Sequence, residues 1–81
     1  MNTNDIQINS NFQGFVTCKG FISDEKPDKV RFRQDYVDCW IKKSDIDKIE
    51  KIERTHEGDW YSLVTVTEET ANYLELEGVL E

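Results

Sequence analysis

His56 is the single histidine of the chain, and Cys18 and Cys39 are its only thiols. A serine or cysteine nucleophile needs a base beside it, so any such centre would have to draw on His56. That residue lies in the run Thr55-His56-Glu57-Gly58-Asp59, a glycine-containing polar stretch of the kind that forms a solvated loop. No spacing brings either cysteine to it. No Cys-x-x-Cys pair exists and His56 is the one other soft ligand, so a metal centre is not expected either. Carboxylates at short spacing are abundant: Asp35 with Asp38, Asp45 with Asp47, Glu57 with Asp59, Glu68 with Glu69. Each could act as an acid and base couple or hold a divalent cation. A chain with 17 acidic residues produces such pairs by chance, and the first and third flank expected turns. Gly14 and Gly20 are too far apart for a phosphate-cradling loop, and no Gly-Lys-Ser run follows them. The expectation is a binding protein and not an enzyme, with no cofactor and no metal.

Charge is distributed unevenly. Residues 1–54 hold ten acidic and ten basic side chains, which cancel. Residues 55–81 hold Glu57, Asp59, Glu68, Glu69, Glu75, Glu77 and Glu81 with no Lys or Arg, so the net charge of −7 resides there. Such a field repels nucleic-acid backbones and speeds encounter with cationic surfaces. A plain solubilising role also accounts for it. The functional expectation is an acidic protein-binding domain that docks on a basic protein surface, such as that of a nucleic-acid-binding protein or nuclease, by mimicking nucleic acid. Inhibition or immunity is the implied outcome, of the sort that phage or mobile elements encode as counter-defence. The residues expected to carry it are Glu57, Asp59, Glu68, Glu69, Glu75 and Glu77, with Trp60 and Tyr61 as apolar anchors.

Two alternatives come from other residues. Arg31, Arg33, Trp40, Lys42 and Lys43 would form a basic patch beside an aromatic ring, and small barrels bind single-stranded nucleic acid by stacking and phosphate contacts. Asp35 and Asp38 interrupt those cations, and the acidic balance of the domain disfavours direct nucleic-acid binding. A structural or accessory subunit of an oligomer would instead bury Trp40, Phe12, Val79 and Leu80.

The elements that must position these side chains follow from hydrophobic pattern. Residues 1–11 are polar and Asn-rich, a flexible arm or an edge strand, and 12–81 form a single globular domain. Phe12 to Ile22 reads as a long strand bent at Gly14 and Gly20, and Ser23 to Asp28 as a charged turn. Val30, Phe32, Val37, Cys39 and Ile41 alternate with polar neighbours at the period of two of half-buried strands. Trp40 falls on the polar side, as a cover over a second cluster or as an exposed binding residue. In 44–54, Ile46, Ile49 and Ile52 recur every three residues, which suits a helix. A tight turn over Ser44 to Asp47 followed by a strand from Lys48 to Arg54 fits the adjoining loop and the strand Trp60 to Val66 better. Thr67 caps a helix opened by Glu68 and Glu69 and closed by a left-handed Gly78, with Ala71, Leu74 and Tyr73 as residues facing the sheet.

The fold class is thus mainly β to α+β: a small curled antiparallel sheet, or an SH3-like or Sm-like barrel, of about five strands with one C-terminal helix. At 81 residues one modest core is the limit. No apolar run approaches the ~18 residues that cross a bilayer, and the first ten residues lack the pattern of a signal peptide. A cytoplasmic protein is expected, in the host cytoplasm if phage-encoded, with both cysteines reduced and packed as small hydrophobes.

Overall fold

Residues 14–79 are described in the computed structural model. The elements are β1 (Phe15–Glu25), β2 (Lys29–Gln34), β3 (Val37–Lys42), a 3₁₀ turn (Lys43–Asp45), β4 (Ile46–Arg54), β5 (Trp60–Thr67) and the helix α1 (Glu68–Leu74). All strands are antiparallel neighbours in one five-stranded sheet of order β3-β2-β1-β5-β4. The expected arm over 1–11, and Phe12, lie outside the described residues.

The long strand β1 makes the sheet curl. Phe15 to Ile22 pair with β5, whereas Phe21 to Glu25 pair with β2, and the β2 ladder shifts register between Ile22 and Asp24. A bulge of this kind bends a strand and increases its twist. The bend therefore falls at Ser23 rather than at Gly14 or Gly20, and the charged turn shrinks to 26–28 because Asp24 and Glu25 are held in the ladder by Arg31 and Val30. Gly20 has a different task. A Cβ there would lie 2.4 Å from the Arg33 carbonyl oxygen and 2.7 Å from Cζ of Phe32, so only glycine lets β2 cross so closely.

Alternation then sorts the faces. Cys18, Ile22, Val30, Phe32, Ile41, Val64 and Val66 are buried on the concave side, and Ala71 and Leu76 close one end of this core. A fully buried Val or Phe contributes about 1.5–3 kcal/mol relative to exposure. The threefold spacing of isoleucines in β4 is reconciled with a strand by two register shifts, between Ile46 and Lys48 and between Lys51 and Glu53. The first lets Ile46 and Ile49 both face the core, opposite Val66 and Val64, while Ile52 is left 49% exposed.

No ladder joins β3 to β4 among the described residues, so the sheet is curled without closing. Glu25 spans the gap, accepting from Lys43 Nζ at 2.8 Å and from Lys51 Nζ at 3.0 Å. These two hydrogen bonds, Lys43 first, hold its carboxyl below the usual carboxylate range.

Thr67 caps α1 as expected, its hydroxyl accepting from the Thr70 N–H at 3.1 Å. The helix stops three residues short of Glu77. Glu75 takes the left-handed conformation (φ 62°, ψ 37°), and the Leu76 N–H returns to the Ala71 carbonyl at 2.8 Å, the bond that closes many helices. Gly78 consequently does not end the helix. It bridges Cys18 of β1, where a Cβ would meet Cγ1 of Val16 at 2.6 Å. Residues 76–79 thus form a strap along the part of β1 that β2 leaves uncovered, with the Val79 N–H donating to the Thr17 carbonyl at 2.7 Å. Tyr73 points away from the sheet, 84% exposed. At 3.6 residues per turn Tyr73 lies roughly 200° round the helix from the buried Ala71, which puts it on the outward side.

Candidate functional site

The expected acidic set is divided by β5. The hairpin loop carrying Glu57 and Asp59 precedes that strand, and Glu68 and Glu69 follow it. Eight residues at ~3.4 Å each put on the order of 25 Å between the two groups. They do not form one continuous surface.

The hairpin group is also partly consumed. The Asp59 carbonyl accepts from the Thr55 N–H at 2.8 Å, while its own N–H donates to Thr55 Oγ1 at 3.1 Å. Gly58 turns the loop with φ 96°. This geometry aims the Asp59 carboxylate at Arg33, whose Nη2 donates to it at 2.6 Å. Glu57 and His56 stay exposed beside it.

Trp60 and Tyr61 separate by strand alternation. Trp60 packs against the concave core with Lys51 and Arg54 over its ring, at 5.6 and 5.9 Å. Tyr61 lies on the convex face against Phe21, ring centroids 5.5 Å apart. One anchor is therefore spent on packing.

The other four carboxylates lie at the two ends of α1. Glu68 and Glu69 occupy the first helical turn, and Glu75 and Glu77 follow its last. All four are exposed, and among the described residues none has a Lys, Arg or His within salt-bridge distance. Four residues outside the expected set lie near one or other of these carboxylates. Asp35 and Tyr36 form the β2–β3 turn, with Tyr36 96% exposed. Gln34, at the base of that turn, ties it to the strap: its Nε2 donates to the Glu77 carbonyl and its Oε1 accepts from the Glu77 N–H, both at 2.9 Å. Tyr73 stands one turn after Glu69, on the helix side opposite Ala71. A groove of about 710 Å³ runs between turn and strap, lined by Phe21, Tyr61, Tyr36, Asp35, Glu75 and Glu77, with Lys19 and Arg33 also present.

Compared with known proteins, the chain matches no family model, no curated protein and no solved structure.

The cationic candidates meet mixed fates. Arg31 donates to Asp38 through Nε and Nη2 at 2.8 and 2.9 Å, which raises the Arg31 pKa and lowers that of Asp38. Arg33 is held by Asp59 and Lys43 by Glu25. Lys42 lies opposite Lys29, and Arg31 opposite Trp40, across the β2–β3 ladder. Two lysines that the sequence did not single out approach the half-buried Trp40: Lys26 Nζ at 5.0 Å and Lys29 Nζ at 5.2 Å from the ring centroid. Trp40 is thus half-buried, with two ammonium groups near its ring. Of the oligomer residues, Val79 is 41% exposed, while Phe12 and Leu80 lie outside the described residues.

Cys18 is buried in the core and Cys39 half-buried on β3, both as free thiols. Burial pushes both pKa values up, with Asp38 adding to the effect at Cys39. His56 lies in the hairpin loop, on a different element from either thiol. Among the described residues no group of three or more His, Cys, Asp or Glu is arranged to hold a metal ion. No described helix is long and apolar enough to cross a membrane.

Proposed function

We propose that this chain is a non-enzymatic binding domain whose acidic end, Glu68, Glu69, Glu75 and Glu77 with Asp35, docks on a basic protein surface, with inhibition of a nucleic-acid-binding partner as the outcome. The observation that carries it is the set of exposed carboxylates at both ends of α1 that have no salt-bridge partner among the described residues, with exposed Tyr73 on the helix and exposed Asp35 and Tyr36 beside Glu75 and Glu77. Tyrosine supplies large, rigid contact area at low entropic cost, and unpaired carboxylates steer a cationic partner into place. Tyr36 and Tyr73 join Tyr61 in the anchoring part, and Trp60, packed against the core, does not take it. Glu57 remains an accessory charge at the far hairpin.

The test is a titration with polylysine at rising salt, comparing the E68Q/E69Q/E75Q/E77Q variant with a D28N/D45N/D47N/E50Q variant of the same net charge. The first should lose most of its affinity and the second little. Equal losses, or binding unchanged at ~1 M salt where the screening length is about 3 Å, would overturn the reading.

A second reading rests on Trp40. Lys26 and Lys29 bring two ammonium groups within about 10 Å of each other, closer than a screening length at moderate salt, and Lys42 adds a third cation beside them. A single-stranded nucleic acid offers the phosphates and ring faces such a patch takes. Three phosphate contacts imply a salt slope of about −2 for single strands. A gel shift with oligothymidylate at low salt decides it: no shift, or one that persists in the K26A/K29A variant, removes this reading.

A further inference from the structure

We infer that the groove between the β2–β3 turn and the C-terminal strap receives an arginine-bearing extended segment of the basic partner; this rests on the acidic-end reading above and names the chemistry that end selects. A volume of about 710 Å³ lies within the ~300–1,000 Å³ range of ligand-sized clefts. Its lining joins three aromatic rings, Phe21, Tyr61 and Tyr36, to three carboxylates, Asp35, Glu75 and Glu77. Guanidinium is the side-chain group that answers both at once. Its flat face stacks on rings while its fork bonds a carboxylate in two places, whereas the ammonium of lysine is a compact and strongly hydrated point charge.

The chain already makes this pairing at the edge of the groove. The Arg33 guanidinium lies over the Phe21 ring at 5.8 Å and donates to Asp59 at 2.6 Å. That ion pair neutralises the arginine of the lining, which leaves Lys19 as its remaining cation and the carboxylates of turn and strap in excess. Glu75 holds a left-handed backbone that glycine adopts more easily, and it thereby places a carboxylate at the mouth of the groove. Tyr36 stands 96% exposed with no packing role to explain it. The geometry is that of a clamp, with Tyr36 of the β2–β3 turn on one wall and Glu75 at the helix end and Glu77 of the strap on the other.

The experiment uses two short peptides of equal length and charge, one alternating arginine with serine and the other lysine with serine. Binding is followed by calorimetry and by amide shifts of the labelled protein. The arginine peptide is expected to bind at least fivefold more tightly, with shifts concentrated at residues 34–37, 61 and 75–79. Tyr36→Ala, which removes an exposed side chain and leaves the fold intact, should abolish that preference. E75Q/E77Q should weaken binding several-fold more than E68Q/E69Q, whose carboxylates lie outside the groove. Equal affinity for the two peptides, with Tyr36→Ala silent and both double variants equally weakened, would sink the groove while sparing the acidic end. If neither double variant binds more weakly than the D28N/D45N/D47N/E50Q control, both readings fail together.

Discussion

The side-chain amide of Gln34 grips the main chain of Glu77 as a neighbouring strand would, donating to the carbonyl and accepting from the N–H at 2.9 Å each. Its Nε2 also donates to the Lys19 carbonyl at 3.0 Å. One side chain thereby joins the β2–β3 turn, the exposed stretch of β1 and the strap.

Gln34→Ala should therefore release the strap. Losing these partly exposed bonds is expected to cost about 1–2 kcal/mol. Amide exchange at Val79, protected by its bond to the Thr17 carbonyl, should accelerate more than exchange at Val64 in the core. Equal protection in both proteins would show that Leu76 and the bonds to β1 hold the strap without Gln34.

Gly20→Ala and Gly78→Ala should differ in severity. The Cβ at position 20 meets a backbone carbonyl at 2.4 Å and a buried ring at 2.7 Å, whereas at position 78 the nearest atom is a methyl of Val16 at 2.6 Å. The first forces β1 and β2 apart and should cost more than about 3 kcal/mol, the second about 1 kcal/mol. Urea midpoints measure both.

Glu75→Gly should stabilise the chain by up to ~1 kcal/mol, because glycine relieves a left-handed backbone at φ 62°. The same change removes a carboxylate from the groove and should weaken cationic peptide binding. A gain in thermal midpoint with no loss of binding would separate Glu75 from the site.

Acid should open the seam between β3 and β4. The Glu25 carboxyl titrates below its usual 4.5 because Lys43 and Lys51 bond its ionised form, so the stabilisation is fully present above that value and is lost as pH falls through the lowered folded-state pKa. The carboxylate is 40% exposed, so solvent screening keeps the contribution below about 1 kcal/mol. Denaturation curves at pH 7 and pH 3 should show a smaller acid penalty for Glu25→Gln than for the parent.

The thiols should report two openings. Cys18 is 0% exposed in the centre of the sheet, and its raised pKa slows it further, so a disulfide reagent should label it at the rate of global unfolding. Cys39, half-buried on the edge strand β3, should react earlier and faster as pH rises. Identical rates would mean that β3 opens only with the whole domain.

Much of the fold was legible along the chain because alternation and capping are local. Val30, Phe32 and Ile41 announce half-buried strands, the run from Thr55 to Asp59 announces a hairpin loop, and Thr67 followed by two glutamates announces a helix start. All three are present. The bend of β1, the role of Gly78 and the end of α1 were not readable, since each depends on which backbone approaches from elsewhere. Ile46 and Ile49 misled by a period that only register shifts explain.

For the site, the amino-acid order alone determined that the cation-free carboxylates belong to the last third of the chain. Tertiary structure decided which of them share a surface. An extended β5 carries the hairpin charges on the order of 25 Å from those of the helix, and Arg33 claims Asp59. Meanwhile Gln34 draws Tyr36 to Glu75 and Glu77 across 43 positions of sequence. Charge composition adds up wherever residues lie, but adjacency follows from strand length and register, and those are set by packing over the common core.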